Sequence, residues 1–210
     1  VFRLFVILML RKLPLDVKRQ HATQLKEESH SYRHQEELLA DLSLLQEAIH
    51  AYGARNIAFA GVNQAIRLVN VFGFHLAHLD IRQNSDFHDK AITQLMLSAG
   101  IQNNDFANWS EQERVDFLNK ELESNRPFTH PTAELQENAE KVISCLTVIS
   151  KHVNKYGVDG IGSLIVSMTR SLSDLLVVYL LAREAGLTDK EGDDIICKIP
   201  IAPLLETIED

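Results

Sequence analysis

The stretch HLAHLDIRQNS, residues 75–85, starts as a strand and finishes as a cluster of polar groups. Leu76, Leu79 and Ile81 are apolar and strand-forming, whereas Asp80, Arg82, Gln83 and Asn84 crowd together at the far end. The pattern predicts a strand over 75–82. Ser85 and Asp86 then read as capping residues, and Ile92, Leu95, Met96 and Ala99 recur at helical spacing until Gly100. A strand that delivers straight into a helix is the repeating unit of parallel α/β folds. Those folds collect functional side chains at the carboxyl ends of their strands. The polar end of this stretch is therefore either an exit to solvent or a site.

The same grammar repeats downstream. Ser110 with Glu113 forms a capping box ahead of Val115, Leu118 and Leu122. Thr132 is expected to open a long helix that turns Leu135, Ala139, Val142, Leu146, Ile149 and Val153 inward. A second strand is read in GIGSLIVSM, residues 160–168. The helix after it carries Leu172, Leu175, Leu176, Tyr179 and Leu180 as one stripe, ending at Gly186, and a third strand is read in KIPIAPLLE, residues 198–206. Strands separated by helices imply right-handed crossovers and a parallel sheet. All three strands are expected to be apolar on both faces, covered by helices on one side and by barrel filling on the other. Three such steps fit an open doubly wound sheet as well as part of a (β/α)8 barrel. Neither a GxGxxG run nor a phosphate-binding GxxxxGK loop follows any strand, which weighs against a nucleotide-binding sheet.

Ahead of the first strand the chain reads as a helical region, residues 1–73, followed by the β/α units of 74–210. Leu38, Leu42, Leu45, Ile49 and Tyr52 recur at steps of three and four, with Gly53 as a stop, and a shorter helix covers Asn63 to Val71, closed by Gly73. Segment 16–33 is charged and is expected to be a solvated helix end or an exposed loop. The opening run from Leu4 to Leu10 is far short of the roughly 20 residues that span a bilayer, and no small-residue cleavage site follows it. It is read as an amphipathic helix. The first residue is Val and the last strand is followed at once by the chain end, so both termini read as cuts in a larger protein.

The chain has 210 residues and a formal charge of −8, which argues against broad nucleic-acid binding. That balance still permits a small anion held by local arginines. Cys145 and Cys197 lie far apart in apolar sequence with no CxxC spacing, and are read as reduced, buried thiols of a cytoplasmic protein.

Each expected strand ends in polar chemistry: Asp80, Arg82 and Gln83 on the first, Ser167, Thr169 and Arg170 on the second, Glu206 on the third. Asp80 and Arg82 could simply pair with each other or with neighbouring strands. Three strands ending alike favour a site. An arginine there suits a phosphate or carboxylate, because the guanidinium is a fixed fork of donors. A carboxylate such as Glu206 suits Mg²⁺, which takes one or two protein carboxylates and completes its shell with water and substrate oxygens.

Three ordered segments carry a family resemblance: DIRQNSDFH, then SLIVSMTRSLSDLLVVYLLAREAGL, then IPIAPLLETIED. In order and spacing they resemble the central part of phosphoenolpyruvate carboxylases, which have a DIRQES-type strand end, a VISMAKTPSDVLAV-type strand–helix unit and a VAPLFET-type strand. LRKLPLDV and FGFHLAHLDIRQ fit the same run, so the resemblance covers essentially the whole chain. It implies a helix-rich α/β fold, a partial (β/α)8 (TIM-type) barrel preceded by a helical region. It further implies a carbon–carbon lyase that joins bicarbonate to phosphoenolpyruvate, giving oxaloacetate and phosphate, in the carbon fixation that replenishes the tricarboxylic acid cycle. Bicarbonate would attack the phosphoryl group to give carboxyphosphate and an enolate, and the enolate would attack the CO2 released.

Carried over by residue, the resemblance implies that Arg82 binds the substrate phosphate and that Glu206 is one of two carboxylates holding Mg²⁺ or Mn²⁺. Leu204 would line a small apolar pocket near the carboxylating centre, and Gln83 would join Arg82 and Leu204 in substrate binding, with Asp80 and Gln83 as supporting groups of the same motif. Asn84 stands where the family has Glu, and Leu205 where it has Phe; neither removes a charged ligand. The second metal carboxylate, the glycine-rich mobile loop and the remaining phosphate-binding arginines would lie beyond residue 210, and the catalytic histidine upstream of residue 1. The isolated chain should then be inactive, and the parent enzyme a homotetramer.

FTHPTAE, residues 128–134, imitates the family's histidine motif but follows the DIRQ strand and has its Glu one place late. Thr132 is read as a helix cap and His130 as an exposed loop residue. On a strand, His75 and His78 would face opposite sides and could not chelate one ion. His30 and His34 could share a helix face, as a solvated pair. Trp109 and the leucine stripes read as core. Two other functions fit the same pattern: a noncatalytic assembly or ligand-binding module, and another Mg²⁺-dependent barrel enzyme acting on a phosphorylated small acid.

Overall fold

A computed structural model describes residues 1–18, 21–102, 105–124, 126–130, 134–192 and 194–206, with 16–18 and 21–25 described by their backbone. The chain divides into two compact units, residues 1–78 with 155–160, and residues 79–154 with 161–210.

The first unit opens with helix α1, Phe2–Lys12, which buries Met9 and leaves Leu4, Leu8 and Leu10 exposed. Among the described residues no helix is long and apolar enough to cross a membrane. An antiparallel hairpin follows, β1 (Leu15–Lys18) and β2 (His21–Leu25), with Leu15 opposite Leu25 and Val17 opposite Ala22. This corrects the expectation of a helix end or loop for residues 16–18 and 21–25; residues 26–33 are a loop as expected, with Tyr32 buried. Leu15 and Val17 alternate with charged residues, a strand signal too short to stand out among so many polar neighbours. Helix α2, Gln35–Ala51, packs Leu38, Leu42, Leu45 and Ile49 into a core with Met9, Tyr32, Ala58 and Val62. Tyr52, expected in that stripe, is instead exposed at the helix end, edge-on to Phe2. His34 caps α2 and His30 precedes it in a turn near Glu28, so the two share no helix face. A π-helical turn, Ile57–Val62, runs into helix α3, Asn63–Phe72, which stops at Gly73 with φ +54°.

Residues 75–78 are not strand. Leu76 sits at φ +64°, and the His75 and His78 rings meet edge to face with centroids 5.0 Å apart. The opposite-face argument therefore does not apply to them.

The second unit contains the parallel sheet. Strands β3 (Leu79–Asn84), β4 (Ile161–Ser167) and β7 (Ile201–Leu204) lie side by side in the order β3–β4–β7, both pairings parallel. Helix α4, Ser85–Ser98, follows β3, capped by Asn84, whose Oδ1 accepts the Asp86 N–H at 2.8 Å. It buries Ile92, Leu95 and Met96, while Ala99 is exposed just past its end. Helix α5, Glu111–Leu122, opens on the expected capping box. Helix α6, Glu137–Tyr156, turns in Ala139, Val142, Leu146, Ile149 and Val153 as the spacing predicts, but it starts later than expected. Residues 134–136 are not helical, Leu135 packs half-buried ahead of the helix, and Thr132 lies outside the described residues. Helix α7, Leu172–Glu184, connects β4 to an unforeseen antiparallel hairpin, β5 (Thr188–Glu191) and β6 (Asp194–Cys197), and so to β7.

The expected α7 stripe forms in part: Leu180 is fully buried and Leu175, Leu176 and Tyr179 pack half-buried against the core. Val177, Val178 and Leu181 are fully buried and Leu172 is exposed. A helix apolar on nearly every face has no readable stripe. Only β4 is deeply buried, through Leu164 and Val166; β3 and β7 are sheet edges among the described residues, with Leu79 exposed. The expectation that all three strands are covered on both faces therefore fails for β3 and β7. Pro203 is tolerated because an edge strand has one row of unpaired donors. Cys145 and Cys197 are free thiols, half-buried rather than buried, and burial raises the pKa of each.

Candidate active site at the strand ends

The parallel register carries polar groups of different strands to one end of the sheet. Arg82 on β3 stands level with Ile165 of β4, and Ser167 of β4 with Leu204 of β7. Beyond Leu204 the chain continues to Glu206, whose Oε1 accepts a hydrogen bond from Arg82 Nη2. The pair bridges β3 and the end of β7 across the intervening β4. Both side chains remain partly exposed, 56% for Arg82 and 38% for Glu206, so a solute can reach the guanidinium.

The neighbours of Arg82 have other duties. Gln83 alternates to the opposite face, as a strand requires, where its Oε1 lies 2.8 Å from Nε2 of the buried His88. Its backbone carbonyl accepts from Ser167 Oγ at 3.3 Å, tying β3 to β4. Asp80 is not at the carboxyl end. It sits at an irregularity near the start of β3, where its Oδ1 accepts the Ser163 N–H at 2.8 Å, and it occupies the space a side chain on Gly162 would need. Asp80 is a fastener between strands. Leu204 is half-buried beside Ser167, and Leu205 points outward. His130 is an exposed loop residue, and Trp109 packs against Phe106 and Phe117.

After β4 lies a charge network that joins residues far apart in the sequence. Arg170, just after β4, reaches Asp174 at 2.9 Å, Asp89 at 2.8 Å and Asp86 at 3.2 Å. Arg114 of α5, almost completely buried, bonds Asp89 and stands 3.3 Å from Asp174. Burial raises the Asp89 carboxyl above its usual range despite both arginines. At Asp174 burial also pushes upward, but hydrogen bonds from the Arg170 side chain and backbone outweigh it and the pKa is lowered. Glu111 of α5 accepts from Ser173 N (2.9 Å), Ser173 Oγ (2.6 Å) and Ser171 Oγ (2.8 Å), capping α7. The signal was present: Arg114, His88, Asp89 and Asp174 all occupy inward helical positions among leucines and valines.

A family model described as phosphoenolpyruvate carboxylase matches residues 1–210. The chain belongs to the phosphoenolpyruvate carboxylase family. Among its relatives, the phosphoenolpyruvate carboxylase of Mycolicibacterium paratuberculosis is 39% identical over 174 residues, 83% of this chain and 18% of the relative. That of Rhodothermus marinus is 39% identical over 178 residues, 81% and 19% of the two chains, and that of Gloeobacter violaceus 35% over 181 residues, 86% and 19%. The chain thus spans about a fifth of the length of these curated relatives. In a family whose carboxylases depend on a divalent metal, the donor chemistry here fits a single ligand. Among the described residues no three His, Cys, Asp or Glu side chains form a group that could hold a metal ion, and Glu206 is the carboxylate that follows β7. Mg²⁺ accepts that arrangement, since it takes one or two carboxylates and keeps water and substrate oxygens for the rest.

Proposed function

We propose that this chain is a segment of a longer phosphoenolpyruvate carboxylase, contributing a helical region (1–73) and the first three β/α units of a TIM-type barrel (74–210). The whole enzyme, in this reading a cytoplasmic homotetramer, joins bicarbonate to phosphoenolpyruvate and yields oxaloacetate and inorganic phosphate. The observation that carries the proposal is the Arg82–Glu206 pair on the carboxyl-end face of a parallel sheet, in a chain that matches the family throughout.

Arg82 is the phosphate ligand. Its guanidinium presents donors in a plane that fits two phosphate oxygens, and in the absence of an anion Glu206 satisfies it. A phosphate would compete for those donors, and Glu206 is the carboxylate that would hold Mg²⁺ or Mn²⁺. When bound, that ion supplies Lewis-acid stabilisation of negative charge on the substrate. Leu204 contributes apolar wall near the reacting carbon. Gln83 supports Arg82 from the other face, by holding the strand end to Ser167 and His88.

The chain alone lacks much of what the reaction needs, so the 210 residues by themselves should show no Mg²⁺-dependent conversion of phosphoenolpyruvate and bicarbonate to oxaloacetate. The longer polypeptide should show it. Turnover by the isolated chain, or none by the longer polypeptide, would sink the proposal.

A further inference from the structure

The turn after β4 is built around a residue in an unfavourable conformation. Met168 has φ +55°, in the left-handed region that a residue with a Cβ enters only under constraint. Its surroundings supply the constraint. Ser85 Oγ donates to the Met168 carbonyl at 2.7 Å, Asn84 Nδ2 lies 3.2 Å from the Met168 sulfur, and Thr169 Oγ1 donates to Val166 O at 2.8 Å. Arg170 then closes the turn. Its own N–H donates to Asp174 Oδ2 at 2.8 Å, and its guanidinium spans Asp174 at the start of α7 and both Asp86 and Asp89 in α4. One side chain therefore ties the end of β4 to the two helices that flank it, and β4 is the strand across which Arg82 and Glu206 meet.

We propose that Arg170 is a positioning residue for the anion site: it clamps the 168–170 turn to α4 and α7, keeps Met168 left-handed, and so fixes the end of β4 between Arg82 and Glu206. The claim rests on the reading of that site given above. A lysine could satisfy one carboxylate as a point charge but could not span three, so the planar fork is the property in use.

Two measurements test it. The chain has three methionines, Met9, Met96 and Met168. With ¹³C-methyl labelling of the 210-residue chain, Arg170→Gln should move the Met168 resonance and leave Met9 and Met96 in place; an unmoved Met168 overturns the proposal. Should Arg170→Gln fail to fold, Arg170→Lys gives the same readout. In the longer polypeptide, Arg170→Gln should lower kcat/KM for phosphoenolpyruvate by about tenfold to a hundredfold, mainly through KM, the loss expected of a site displaced by about 1 Å. Adding Met168→Gly should restore most of it, because glycine adopts positive φ without a clamp. A loss that glycine does not recover makes Arg170 a stabilising ion pair and nothing more. If the unsubstituted polypeptide shows no turnover, the reading of the site falls, and the Met168 resonance still decides whether Arg170 sets the turn.

Discussion

His88, buried on α4, makes this fold sensitive to mild acid. The imidazole is 1% exposed on α4, with Nε2 at 2.8 Å from Gln83 Oε1 and Nδ1 without a partner among the described residues. Gln83 Oε1 can only accept, so Nε2 donates to it, and burial of the ring disfavours adding a second proton at Nδ1. Burial lowers its pKa from 6.5 to about 4, against the pull of the Asp174 charge, which favours the cation. The unfolded chain therefore binds a proton between those values that the folded chain refuses. Stability is fully present above the unfolded pKa and is lost as pH falls toward the folded one. The full effect is roughly 3 kcal/mol, and about 2 kcal/mol of it falls between pH 7 and pH 5. Urea unfolding of the chain and of His88→Gln at both pH values isolates this contribution, since Asp89, Asp174 and the other carboxylates titrate in both proteins. The unsubstituted chain should lose about 2 kcal/mol more than the variant on going to pH 5. Equal losses would refute the reasoning.

Other substitutions probe the frame around the site. Gly162→Ala puts a Cβ where Asp80 Oδ1 lies and should destabilise the second unit by about 1–3 kcal/mol, most of it vanishing in an Asp80→Ala background, as a double-mutant cycle would show. Arg114→Met leaves buried Asp89 and Asp174 to Arg170 alone and should cost about 3–5 kcal/mol in denaturant unfolding; a cost below about 1 kcal/mol would mean that Arg170 suffices. Ser110→Ala removes the hydroxyl that accepts the Glu113 N–H and should cost about 1 kcal/mol, read by the same melts.

Much of the second unit was legible because its signals are local. Ser110 with Glu113, the inward residues of α6 from Ala139 on and the strand–helix order depend on spacing within a dozen residues, and they formed, although α6 starts at Glu137 and the β5–β6 hairpin interrupts the order. The failures share a different cause. Strand β3 begins at Leu79 rather than His75 because Leu76 adopts a left-handed conformation, which apolar alternation cannot announce. The α7 stripe was readable only in part because Val177, Val178 and Leu181 compete with Leu175 and Leu176 for the same inward role. At the site, the polar strand ends were visible as residue types, yet that Arg82 meets Glu206 while Asp80 fastens Ser163 depends on register across three strands. The Arg170 network joins residues up to 84 positions apart, and no short window contains it.

Arg82→Ala in the longer polypeptide tests the central claim most directly. Its ion pair with Glu206 is partly exposed, so removing it should change stability by less than about 1 kcal/mol. Loss of the phosphate ligand should cost about 10²–10³-fold in kcat/KM for phosphoenolpyruvate. An Arg82→Ala enzyme that folds normally and fixes bicarbonate at the unsubstituted rate would contradict the account.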